Sequence, residues 1–224
     1  MTVNSHLMTP EVSAHPTPPA AAGGTAFLRP RDLEPGIAGV ILAGGKSSRF
    51  GSNKALARHR GRFLISHVTA VLEEIFAEKL LVTNHPEDYS FLGWPMTGDL
   101  VLDAGPLAGI QAALYRIDAP RAFIVACDMP RLNPGVIRRM CHCPGDWDVI
   151  MPAPATGREP IHAIYHRRVL PAVDAALARG QGKINRLLQQ LRVRTMDAAE
   201  LGLSADDENV FANINYRDDL NTLP

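Results

Sequence analysis

The stretch IAGVILAGGKSSRFGSNKAL, residues 37–56, decides the fold. Ile37–Ala43 is a short apolar run with β-branched residues and reads as a buried strand. The loop from Gly44 to Lys54 follows at once. It gathers Gly44, Gly45 and Gly51, the hydroxyls of Ser47 and Ser48, and the cations Lys46, Arg49 and Lys54. Glycines let a backbone approach a ligand and turn its N–H groups inward. Arginine meets a phosphate through a planar fork and lysine as a point charge. Open α/β sheets bind ligands at the carboxyl ends of their strands, where this loop would lie. Two common fingerprints are absent. There is no GxGxxG, and GxxxxGK[ST] fails because Gly45 and Gly51 are six apart and Lys54 does not follow a glycine. A flexible basic connector is the plain alternative, disfavoured by the joint richness in glycine and cations.

Outward from that loop, strand and helix patterns alternate. Leu64, Val68, Val71, Leu72 and Ile75 have helical spacing. Leu80–Thr83 reads as a strand with Asn84 at its end, Leu100–Leu102 as a short strand, and Leu107 to Ile117 as a helix. Ala122–Ala126 is a strand running into Cys127 and Asp128. Asn133 and Pro134 look like the N-cap and first residue of a helix through Met140. Val149–Met151 and Ile161–Tyr165 read as strands with antiparallel pairing open to them. Helices around Leu170–Leu177 and Ile184–Leu191, a last strand at Arg192–Met196 and a short helix near Leu220 complete the pattern. The alternation predicts an α/β domain with a largely parallel sheet and helices on both faces.

Composition narrows the function. The chain has 224 residues, 46% hydrophobic and 21% charged, and its 23 Lys+Arg balance 23 Asp+Glu. A neutral chain does not coat nucleic acid, so an anionic ligand must be met locally. No apolar run reaches the roughly 18–20 residues needed to span a bilayer. Cys127, Cys141 and Cys143 read as reduced thiols of a cytoplasmic protein. The spacing of Cys141-His142-Cys143 does not suit a zinc knuckle. Residues 1–36 hold six prolines and an Ala/Gly stretch and read as a disordered Pro/Ala-rich tail before one domain at 37–224. Removing residues 1–34 is expected to leave folding and turnover nearly unchanged.

The pattern LAGG-x-S-x-R-x-G-x-x-K-x-L resembles the signature of nucleotidyltransferases that activate small molecules with a nucleoside triphosphate. GPLAGI (Gly105–Ile110), ACDMP (Ala126–Pro130), EPIHAIY (Glu159–Tyr165) and FANINYRDDL (Phe211–Leu220) extend it, in order, toward the molybdenum cofactor guanylyltransferase family. The resemblance covers about residues 37–224. It implies a three-layer, Rossmann-like (GT-A-like) nucleotidyltransferase fold with a mostly parallel mixed sheet. It further implies transfer of GMP from GTP to the terminal phosphate of molybdopterin. Magnesium (Mg2+) would be the cofactor, and an enzyme that inserts or receives the finished cofactor would be a partner.

Carried over residue by residue, Leu42, Ala43, Gly44, Gly45, Arg49, Lys54, Asn84, Asp103 and Gly109 would bind the nucleotide. Arg49, Lys54 and Asp128 would be catalytic, with Asp128 on the metal. Asn213 and Asn215 would face the pterin. On the residues alone, Asp128 reads equally well as a turn aspartate, and the two asparagines as turn formers. The alternation in F-A-N-I-N does put both asparagines on one face of an extended segment. Two departures stand out. Asn53 replaces the family's usual Asp before the loop lysine, and Gly61-Arg62-Phe63 replaces its GxP. His162, inside PIHAIY, fits a core histidine better than a substrate contact. The Arg138-Arg139 and Arg167-Arg168 pairs read as solvated surface. A cytidylyl or sugar-phosphate nucleotidyltransferase of the same fold, or a non-catalytic nucleotide carrier, remain alternatives. LAGG and CDMP, where cytidine enzymes read LAAG and GDxP, favour guanine.

Overall fold

The structure is a computed structural model that describes residues 33–44, 53–155, 157–216 and 219–220. The expectations for Gly45, Arg49, most of the tail and the chain's last residues therefore lie outside the described residues. The apolar run becomes β1 (Ile37–Leu42). Arg58–His59 (β2) and Arg62–Phe63 (β3) form a small hairpin. Its turn holds Arg60 at φ 50° and Gly61 at φ 78°. Two left-handed central residues match the right-handed twist of the strands they join, so this departure from the family pattern still makes a tight hairpin.

Helix α1 (Leu64–Ile75) follows, then β4 (Lys79–Val82), β5 (Met96–Thr97), α2 (Pro106–Arg116), β6 (Arg121–Ala126) and α3 (Pro134–Cys141). The last elements are β7 (Val149–Pro152), β8 (His162–His166), α4 (Leu170–Ala178), α5 (Ile184–Leu188) and β9 (Val193–Met196). The sheet order is β5-β4-β1-β6-β8-β7-β9. β8 is antiparallel to both β6 and β7, and every other neighbouring pair is parallel. This is the mixed, mostly parallel sheet the sequence predicts.

Side chains alternate between two cores, as the two-residue period of a strand requires. Ile41, Phe123, Val125 and Ile164 face the layer of α1 and α3, with Leu72, Phe76, Ile137 and Met140. Val40, Ile124, Ala163 and Tyr165 face α2, α4 and α5, with Leu107, Ile110, Val173 and Leu187. Strands covered on both faces read as nearly continuous apolar runs, which is why they were legible. Asn133 caps α3 as expected, its Oδ1 accepting from Gly135 N–H at 2.8 Å and Val136 N–H at 3.3 Å.

Three expectations are corrected. The short edge strand is Met96–Thr97, paired to Leu81 and Val82, and not Leu100–Leu102. The ladder stops because the Asn84 side chain takes the next backbone donor, Asp99 N–H, at 2.8 Å. Leu100 and Leu102 beyond it are 60% and 70% exposed. Upstream of β1, within the segment assigned to the tail, Glu34 is buried. Its N–H donates to Ile75 O at 2.8 Å, and its carboxylate accepts from Arg138 at 3.2 Å. Arg138 is thus a tie to the α1–α3 layer and not a solvated cation. The harmless cut is therefore expected at residue 32. Deleting 1–32 should leave the melting temperature unchanged, whereas Glu34→Ala should cost about 1–3 kcal/mol by removing one partner of the half-buried Arg138, read by urea unfolding.

Candidate active site

β1 and β6 pair in register to their ends, Leu42 opposite Ala126. The backbone of Cys127 continues the pairing, its N–H donating to Leu42 O at 3.1 Å. Ala43–Gly44 and Cys127–Asp128 therefore leave the sheet side by side, at the carboxyl edge where open α/β sheets place ligands.

Asp128 is the centre of the site. Its Oδ2 lies 2.6 Å from Lys54 Nζ, with the two side chains only 19% and 14% exposed. Lys54 starts a short 3-10 turn, Lys54–Leu56, capped by Asn53, whose Oδ1 accepts from Ala55 N–H at 3.2 Å. The same ammonium donates to Asn215 Oδ1 at 3.3 Å. Asp128 Oδ1, in contrast, is buried and has no partner among the described residues. A buried carboxylate oxygen without a donor is costly, and an arriving cation would satisfy it.

The C-terminal segment closes one side. Ile214 is buried against Leu64, and its N–H donates to the Asp128 carbonyl at 2.9 Å. Asn213 and Asn215 are exposed on either side of it. Phe211 anchors the approach by packing edge-on against His162, 5.0 Å between ring centroids, while Phe123 meets His162 at 5.0 Å. His162 is wholly buried between these rings, and neither ring nitrogen has a partner among the described residues. Burial pushes its pKa down to about 3. It is a neutral core residue that supports the site and does not reach it.

The opposite side holds a second polar pair. Asn84 donates to Asp99 Oδ2 at 2.9 Å and accepts from Asp99 N–H at 2.8 Å. A Cβ at Gly109, in the first turns of α2, would lie 3.1 Å from Leu42 Cδ2 and 3.6 Å from Asp99 Oδ1. The bare glycine thus lets α2 start against the end of β1 and beside Asp99. Asp99 is the carboxylate that geometry brings to Leu42, Asn84 and Gly109. Asp103 is exposed further along the loop, at φ 57°. Sequence reasoning missed Asp99 because the short strand before it was read four residues late. Gly98, whose Cβ would meet Asn84 Oδ1 at 3.1 Å, is the local signal of that close approach.

Around Gly44 the described structure leaves open space, with nothing within 4 Å of a Cβ added there. The three cysteines are unpaired. Burial pushes the thiols of Cys127 and Cys141 up to about 12 and raises that of Cys143, so none supplies a thiolate at neutral pH. Arg168, read as surface, spans Asp146 at 2.5 Å and Asp148 at 2.6 Å, and so clamps the turn into β7. Among the described residues no helix is long and apolar enough to cross a membrane.

The sequence and the fold resemble those of known proteins. Residues 39–195 match the MobA-like NTP transferase domain. A probable molybdenum cofactor guanylyltransferase of Pelotomaculum thermopropionicum is 35% identical over 182 residues, covering 81% of this chain and 89% of that protein. The molybdenum cofactor guanylyltransferase of Desulfosudis oleivorans is 37% identical over 188 residues, covering 82% and 92%. A crystal structure of molybdopterin-guanine dinucleotide biosynthesis protein A from Archaeoglobus fulgidus superposes with a TM-score of 0.71 at 25% identity, covering 83% of this chain and 95% of that one. With the family model matching over residues 39–195 and relatives at 35% and 37% identity over most of both chains, the chain belongs to the MobA-like NTP transferase family.

Proposed function

We propose that this protein transfers GMP from GTP to the terminal phosphate of molybdopterin. The observation that carries the reading is the Lys54–Asp128 pair, with its orphaned Oδ1, at the paired ends of β1 and β6. A phosphate oxygen of the pterin attacks the α-phosphorus of GTP, a new P–O bond forms, the bond to the β-phosphate oxygen breaks, and pyrophosphate leaves. The attacking oxygen is already anionic, so no general base is required. The work is alignment and charge neutralisation.

Asp128 fits magnesium. Its Oδ1 is a hard, buried oxygen donor, and the described residues contain no group of three His, Cys, Asp or Glu that would make an all-protein cage. Such an ion keeps waters and takes substrate phosphate oxygens beside one or two carboxylates. When bound, it would neutralise the phosphate oxygens next to Asp128. Lys54 would then meet the charge that develops on the leaving pyrophosphate, a role the sequence resemblance also gives to Arg49. Leu42–Gly45 would line the nucleotide through backbone atoms. Asn84 and Asp99 are assigned to the base and ribose, because guanine presents N1–H and N2–H donors that a carboxylate can accept. Asn213 and Asn215 would face the pterin.

The test is a thermal-shift comparison of GTP, CTP, ATP and UTP, each with and without Mg2+, followed by pyrophosphate release in the presence of molybdopterin. GTP with Mg2+ is expected to give the largest shift and the only turnover. Equal shifts for all four, or binding without pyrophosphate release, would replace the reading with a general nucleotide carrier. Gly44→Ala refines it. Among the described residues no atom lies within 4 Å of the added methyl. The variant should lose about 1–3 kcal/mol in kcat/KM for GTP, the range for one spoiled pocket contact, with a smaller loss for CTP. An unchanged GTP/CTP ratio moves base selection to Asp99, to be tested by Asp99→Asn beside Asp103→Asn.

A further inference from the structure

Asn53 is a departure from the family pattern that the catalytic arrangement leaves unexplained, and the structure gives it three partners. Its Oδ1 accepts from Ala55 N–H at 3.2 Å and from Tyr89 Oη–H at 3.2 Å. Its Nδ2 donates to Asp88 Oδ2 at 2.9 Å. Ala55 N–H can only donate and an ionised Asp88 can only accept, so an amide at position 53 satisfies both where a carboxylate cannot. Asp88 and Tyr89 lie on the 3-10 helix Pro86–Leu92. That helix is tied again to the hairpin after the lysine turn, Phe91 packing on Phe63 at 5.2 Å. Its near end follows Asn84, which holds Asp99. Tyr89 is 2% exposed and sits in the core under α1, whereas Asp88 is exposed. The segment 84–92 thus joins the Asn84–Asp99 pair to the turn that aims Lys54.

We propose that Asp88 and Tyr89 are positioning residues for nucleotidyl transfer, acting through the Asn53 amide to fix Lys54 against Asp128. The proposal rests on the functional reading above for its kinetic readout and is independent of it for its structural one. A carboxylate at 53 would face Asp88 at hydrogen-bond distance, and repulsion would swing the lysine turn. Moving the amide to the other partner restores one donor between two acceptors.

The experiment compares wild type, Asn53→Asp, and Asn53→Asp with Asp88→Asn, by steady-state kinetics and by the 15N signal of the Lys54 amine. With lysines only at 46, 54, 79 and 183, that signal is assignable. Asn53→Asp should shift the Lys54 signal and lower kcat about tenfold, the scale of a small misplacement of a reacting group, with a smaller change in KM for GTP. The double variant should return both to near wild type. Asp88→Ala, an exposed truncation that leaves the fold intact, should reproduce the signal shift in part. If Asn53→Asp leaves kcat and the Lys54 signal unmoved, or the double variant is no better than the single, the proposal is overturned. A wild type that makes no product overturns the functional reading instead, and the Lys54 signal alone then decides this one.

Discussion

Asp128→Asn is expected to lower turnover by at least about a hundredfold, the scale of losing one preorganised electrostatic contact at a reacting group. The substitution keeps the shape of the side chain. It removes the charge that pairs with Lys54 at 2.6 Å and replaces a buried, unpartnered carboxylate oxygen with a weaker neutral donor set. Folding should change little, since the backbone bond from Ile214 N–H to the Asp128 carbonyl is untouched. GTP binding in EDTA should also change little, whereas the Mg2+ concentration that half-restores activity should rise. Steady-state pyrophosphate release across a Mg2+ titration makes the measurement. Near-normal turnover would assign Asp128 to the turn before Met129 and Pro130, and the site would have to be sought elsewhere.

His162 is expected to dominate the acid limb of stability. Its pKa is about 3 in the folded protein, lowered by burial from 6.5. Below pH 6.5 the unfolded chain takes up a proton that the folded chain refuses. The contribution of the neutral imidazole is therefore complete above about pH 6.5 and is lost as pH falls from there toward about 3. One proton of difference is worth about 1.4 kcal/mol per pH unit, so the whole window amounts to several kcal/mol. His67 and His166 are lowered by partial burial and add slope of the same sign. The lowered carboxylates Asp146, Asp148, Asp207 and Asp219 add theirs only at the acid end, as pH falls through and below the ordinary carboxylate range. Glu159, raised by burial, adds slope of the opposite sign between pH 7 and 4.5, so the comparison of wild type with a His162 variant by urea unfolding isolates this histidine. His162→Leu removes a buried ring with two unpartnered nitrogens, so it should cost little at pH 7 and lower the slope by nearly one proton. An unchanged slope would mean that His162 is solvated or paired, contrary to its place between Phe123 and Phe211.

Much of this protein is written locally. β1, β4, β6 and the strands after them announce themselves as apolar runs, because a strand covered on both faces has no polar side to show. The α3 start is legible in Asn133-Pro134, since a cap needs only neighbours within three residues. Lys54 could be singled out because a loop after a strand, rich in glycine and charge, has few purely structural uses, whereas Asp128 read equally well as a turn aspartate until the family resemblance was added.

Tertiary structure decided what depends on residues far apart in the chain. That Asp99 and not Asp103 stands beside Asn84 follows from where β5 pairs with β4, a register that Met96-Thr97 is too short to declare. That Asn53 is an amide became intelligible only against Asp88 and Tyr89, brought to it by the packing of the Pro86–Leu92 helix. Glu34 looked like tail until Arg138, over a hundred residues on, turned out to hold it. His162 read from sequence as a core histidine more readily than as a substrate contact, and the two phenylalanines around it place it in the core. The division has one physical cause. Strands, caps and glycine turns are set by a residue and its near neighbours. Charge pairing, desolvation and register are set by whatever the folded chain brings within a few ångströms, and spacing along the sequence does not encode that distance.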